Sequence, residues 1–172
     1  TTIRKTLKQL TPAPLWQTAS NGYYAFQRAA LWPSAAFDPL RRESVRRLAA
    51  FQDRHAGQRC FIIGNGPSLR QTDLTRLKGE VSFGMNRFYL AFPELGFATT
   101  YFVLVNDLVI EQSQDDVLAL GVPKFLCWRS RRFFKPELDP ASYSLNFLYS
   151  TGTSPRFHRN AAGRLWEGAT VT

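Results

Sequence analysis

The stretch Phe61-Ile62-Ile63-Gly64-Asn65-Gly66-Pro67-Ser68-Leu69 constrains the fold more than any other. A short apolar run stops abruptly at a turn that carries two glycines, an amide and a hydroxyl. Runs of four to eight apolar residues bounded by such turns read as buried strands. Similar runs recur at 81–85, 100–105 and 124–128, and a fifth, more peripheral one spans 143–149. Between the third and fourth, residues 108–120 carry Val109, Val117, Leu118 and Leu120 at helical spacing and are closed by Gly121 and Pro123, which predicts a crossover helix. Strands alternating with helical stretches give an α/β fold: a Rossmann-like, mostly parallel sheet with crossover helices.

Residues 1–57 have a different texture, with helical spacing and no strand run. Trp16, Ala19, Tyr23, Phe26 and Ala30 recur at steps of three and four and share one helix face, and Trp32-Pro33 is expected to end that helix. A second helix is expected after Asp38-Pro39, with Leu40, Val45, Leu48 and Phe51 inward and the pairs Arg41-Arg42 and Arg46-Arg47 in water. The expected division is therefore an N-terminal helical extension, 1–57, and a nucleotide-binding domain, 58–172.

Charge bears on partners. With 22 Lys and Arg against 13 Asp and Glu the formal net charge is +9, which favours an anionic small molecule or an acidic surface. Aromatic residues do not alternate with the basic ones, so a stacking platform for nucleic acid is not indicated. The N-terminal basic helices suit a peripheral membrane or protein contact. The composition, with no apolar run of about 20 residues, points to a cytoplasmic protein, at most peripheral to the inner face of the membrane. Cys60 and Cys127 both fall in strand-like runs, where a thiol acts as a small hydrophobe.

The first turn is neither familiar phosphate loop: no Gly-Lys-Ser/Thr follows, and Leu69 stands where a dinucleotide fingerprint has its third glycine. Its glycines permit positive φ and close backbone approach to a ligand, and Ser68 is placed to cap the next helical turn. A tight turn with no ligand is the plainer alternative. What favours a ligand is position, because Asn65, Asn86 and Asn106 each follow a strand and so lie along one carboxyl edge, where open parallel sheets bind ligands. A neutral amide both donates and accepts, which suits ribose, base and phosphate atoms. Asp107 is either a Mg²⁺ anchor or the cap of the following helix. Arg156, His158 and Arg159 lie in a basic stretch placed to close over an anionic substrate.

Taken in order, the Phe61–Leu69 motif, Phe83-Gly84-Met85-Asn86-Arg87-Phe88-Tyr89, Val105-Asn106-Asp107 and Gly168-Ala169-Thr170-Val171-Thr172 resemble the MptE-like 6-hydroxymethylpterin diphosphokinase domain, also found in Maf flagellin-modifying proteins. They are distantly similar to bacterial sialyltransferases that use CMP-linked sugars. The resemblance covers about residues 58–172 and implies a nucleotide-dependent transferase, glycosyltransferase-like in the first reading and a 6-hydroxymethylpterin diphosphokinase in the second, with a non-catalytic nucleotide-binding or membrane-docking module as the alternative of a different class. Gly64, Asn65, Gly66, Ser68 and Asn86 match nucleotide-contacting positions, Asn106 lies near sugar or phosphate, and Gly168-Ala169-Thr170 form a phosphate-holding turn. The implied donor is a CMP-sugar or ATP, the latter with Mg²⁺, and the acceptor a glycan, a protein hydroxyl or a pterin. The resemblance also implies further elements after Thr172, the catalytic residues among them.

Overall fold

The computed structural model describes residues 12–149. Gly168, Ala169 and Thr170, and with them Arg156, His158 and Arg159, lie outside the described residues. The chain divides into two compact units, Thr1–Asp38 and Pro39–Thr172.

Within the first unit one helix, α1 (Ala13–Phe37), opens with Pro14 in its first turn and continues through Pro33. The expected stop at Trp32-Pro33 is therefore displaced to Asp38. A proline so close to the C-terminal end removes one N–H from a ladder that has only four more residues to serve. Asp38 then turns extended and Pro39 begins the next helix.

In the second unit α2 (Pro39–Ala49) is followed by a sheet of β1 (Cys60–Ile63), β2 (Val81–Met85), β3 (Tyr101–Leu104), β4 (Lys124–Cys127) and β5 (Leu145–Leu148). All neighbouring pairs are parallel and the order is β1-β2-β3-β4-β5. The crossovers are unequal. Only β3 to β4 uses a long helix, α4 (Asp107–Ala119), whereas β2 to β3 uses the 3-10 turn Phe88–Ala91 and the single-turn α3 (Phe92–Leu95). The β1 to β2 connection has only the 3-10 turns Pro67–Gln71 and Thr75–Leu77. Among the described residues no helix is long and apolar enough to cross a membrane.

Side chains alternate across the pleat, so each face has its own core. On one face Phe83, Tyr101 and Phe125 stand side by side on adjacent strands, and Phe51 packs edge-on to Tyr101 and Phe125 at 5.6 and 5.5 Å. Leu48 of α2 completes this cluster. The alternate residues Phe102, Leu104, Leu126, Leu145 and Phe147 are essentially inaccessible, as are Ile110 and Val117 of α4. Gly84 is required by packing, since a Cβ there would sit 2.9 Å from Thr99 Oγ1 and 3.0 Å from Phe88 Cδ1.

Two expectations about α2 change. Its inward residues are Arg41, Ser44 and Leu48, while Leu40 is exposed, and the arginine pairs do not form a uniformly wet face. Arg41 is buried, and Arg47 donates Nη2 to Leu145 O at 2.7 Å and Nε to Asn146 Oδ1 at 3.4 Å. Ser44 Oγ accepts the Phe147 N–H at 3.1 Å. These groups meet the outward edge of β5, which is therefore buried rather than peripheral. The same contacts place α2 with the sheet, so the unit boundary falls at Asp38 and Pro39 instead of near residue 57.

Candidate functional site

Parallel strands send their carboxyl ends in one direction, so the segments after β1, β2, β3 and β4 share an edge. That edge gathers Gly64-Asn65-Gly66, Asn86-Arg87, Asn106-Asp107 and the 3-10 turn Trp128–Phe133, which holds Arg129, Arg131 and Arg132. The strand order has no reversal, and the described strands contain no switch point at which a doubly wound sheet would open a crevice. A ligand here lies across the loop tips.

The glycine turn differs from its expected form. Gly66 has φ −82, and neither it nor Gly64 is among the positive-φ residues, whereas Asn86 takes φ 53. The left-handed position on this edge is thus the β2 loop, where asparagine is one of the few residues that tolerates it. A Cβ on Gly64 would meet nothing within 4 Å, and one on Gly66 only Ser68 Oγ at 3.5 Å. Neither turn conformation nor packing demands these two glycines; what their bare backbone provides is room above the loop.

Asn65 is the tie between the two loops. With its amide oriented to suit both neighbours, it donates to Met85 O at 2.8 Å and accepts the Arg87 N–H at 3.0 Å. Its side chain fixes the β2 turn against the β1 turn. Ser68 does not cap a helix; Gly66 occupies that position without a side-chain bond, and the turn that follows is five residues of 3-10 helix. So short an element adds little dipole, which leaves backbone N–H groups and side chains as the polar groups of this turn. Asn106 is the N-cap of α4, accepting the Leu108 N–H at 3.1 Å. Asn86 differs from both: among the described residues no hydrogen bond engages its half-buried amide, which is available at the centre of the edge.

Asp107, weighed as cap or metal anchor, is neither the cap nor available as an anchor. Its carboxylate lies 2.6 Å from Arg129 Nε and 3.1 Å from Arg132 Nη2, and accepts Ser130 Oγ at 3.1 Å. The Arg129 contact is an ion pair off the hydrogen-bond line, since that Nε has no aligned acceptor. A divalent cation brought to Asp107 would face two guanidiniums, and among the described residues no three His, Cys, Asp or Glu cluster to hold a metal. The residues present therefore do not fit Mg²⁺ at this point. Burial pushes the nearby Cys127 thiol up from its ordinary value, the wrong direction for a nucleophile.

One residue of this edge went without a site role in the sequence, and one basic cluster was placed only by the fold. Arg87, beside Asn86, reaches Gln112 of α4 with its guanidinium and stays exposed. Arg129 to Arg132, a run of basic residues in the sequence, are folded onto the edge as a 3-10 turn, Arg131 stacking 4.2 Å above Trp128. Their position directly after a strand end was the available signal. No protein-family model, curated protein or solved structure matches this chain.

Proposed function

We propose that this protein is a nucleotide-dependent transferase, glycosyltransferase-like, which takes an acidic sugar from a CMP-linked donor to a hydroxyl of a glycan or protein. The observation that carries this reading is the juxtaposition of the bare Gly64–Gly66 backbone with the left-handed Asn86-Arg87 turn, joined through Asn65. The resemblance of these motifs to the MptE-like and sialyltransferase group agrees with it. In such a site the open backbone lets the donor approach, the Asn86 amide reads sugar or base atoms, and Arg87 pairs with the phosphate. A nucleoside monophosphate leaving group needs one phosphate neutralised, which a guanidinium supplies without a metal.

The test is calorimetric titration with CMP, CDP and ATP, each with magnesium and with EDTA. The expected result is CMP binding indifferent to EDTA. Asn86→Gly keeps the left-handed backbone while removing the amide, and should cost about 1–3 kcal/mol of binding. ATP binding that requires magnesium and weakens in Asp107→Asn would instead support a 6-hydroxymethylpterin diphosphokinase. Binding of none of the three would end the nucleotide reading.

A further inference from the structure

Helix α1 buries none of its residues. At 100° per residue, Leu15, Ala19, Tyr23, Phe26, Ala30 and Phe37 fall on one side, opposite Gln17, Asn21 and Arg28. The stripe is open along its length, with Leu15 63%, Tyr23 57%, Phe26 73% and Phe37 65% exposed. So much accessible apolar surface marks an interaction face.

The charge pattern says what kind. In the 25 residues of α1 the only ionisable charge at neutral pH is Arg28. From Thr1 to Phe37 there is no Asp or Glu, while Arg4, Lys5 and Lys8 precede the helix. A helix that contacts water on one side and protein on the other normally carries ion pairs of both signs on its wet face. Here the opposite side carries the amides of Gln17 and Asn21 and one guanidinium among Tyr24, Leu31, Trp32 and Ala35, and Tyr23, Tyr24, Trp16 and Trp32 supply rings with a polar tip. That combination matches the headgroup layer, where amphipathic aromatics settle and basic residues meet anionic lipid. The helix is not apolar enough to cross.

We propose that α1 lies in the surface of an anionic lipid bilayer, the Leu15–Phe26–Phe37 stripe inserted and the Arg28 side toward the headgroups. This binding is independent of the nucleotide reading. The test is flotation of the full chain with phosphatidylcholine vesicles, with and without about 30% phosphatidylserine, at about 0.15 M and about 0.5 M salt. The expected result is binding to the anionic vesicles, about tenfold weaker to neutral ones and weakened by salt. Phe26→Glu should reduce it about tenfold or more while leaving the thermal unfolding of the sheet unit unchanged, since Phe26 is 73% exposed. Absence of flotation would overturn the proposal, as would flotation indifferent to both Phe26→Glu and Phe37→Glu. Light scattering supplies the remaining arm: self-association abolished by Phe26→Glu, without vesicle binding, would assign the stripe to a second copy of the chain instead.

Discussion

The two edges of the sheet are finished in opposite ways. At β5 the outward N–H of Phe147 and carbonyl of Leu145 are taken by Ser44 and Arg47 from α2, about a hundred residues earlier. At β1 the other edge strand has Cys60 exposed and Ile62 75% exposed, and only Ile63 is buried. Edge strands need cover or interruption to avoid pairing with other chains. Here one edge is sealed by a helix, while the other is short and flanked by the Arg59–Glu80 ion pair. Burial, and with it local stability, is therefore concentrated at the β3–β5 end. The glycine turn belongs to the lightly supported end, and its tie to the rest of the sheet is the Asn65 side chain on the β2 turn.

The largest expected effect of this asymmetry is in the core. Phe147, 1% exposed and stacked edge-on with Trp128 at 5.9 Å, should cost about 3–5 kcal/mol when replaced by Ala, read as a shift in the urea midpoint. A loss under about 1 kcal/mol would show that the sealed edge is not where stability resides.

Lys124 tests the same end through pH. It is 1% exposed, with Nζ donating to the Leu120 and Val122 carbonyls, and burial lowers its pKa from 10.5 to about 8. The folded state therefore binds fewer protons than the unfolded chain between about 8 and 10.5. The unfavourable contribution of the buried ammonium is fully present below about 8 and disappears as pH rises through that window, so stability gains up to about 3 kcal/mol from this residue. Other groups titrate there too, and the measurement is the stability difference between the native chain and Lys124→Met at pH 7 and pH 10. A difference that stays constant would place the amine in contact with water.

Ser44→Ala should cost about 1–2 kcal/mol, because it strands the buried Phe147 N–H without an acceptor. Amide exchange at Phe147 should quicken accordingly, while exchange in β1 stays as it was.

How far these features were legible follows from the range of the interactions behind them. All five strands were readable within about two residues at each end, because each is a short apolar run bounded by turn residues and announces itself locally, whether it is buried on both faces like β3 to β5 or largely open like β1. The helix 107–119 was equally clear from its spacing and its Gly and Pro stop. The inward face of α2 was not, since Ser44 and Arg47 turn inward to serve a strand edge about a hundred residues away, and nothing near them in the chain reveals it. At the candidate site the three asparagines were found by position, but their roles diverge: Asn65 and Asn106 are engaged by neighbouring backbone, and Asn86 alone is open. Asp107 turned on the fold of 128–133, an aperiodic segment whose 3-10 turn brings Arg129 and Arg132 onto it.

The smallest expected effect lies at the open edge and sharpens the contrast most. Ile62 stands beside Phe83 in the ladder but remains three-quarters exposed, so Thr, which keeps the β-branched shape and strand preference, removes little buried apolar surface. Ile62→Thr should change the unfolding free energy by no more than about 0.5 kcal/mol, an order of magnitude below Phe147→Ala. Removing a large exposed apolar group from an edge strand should also slow concentration-dependent aggregation, followed by light scattering. The nucleotide binding proposed above should not move, because Ile62 lies within the strand and not at its carboxyl edge. A loss of more than about 1.5 kcal/mol would mean that something covers Ile62 in solution, and the two edges would then be sealed alike.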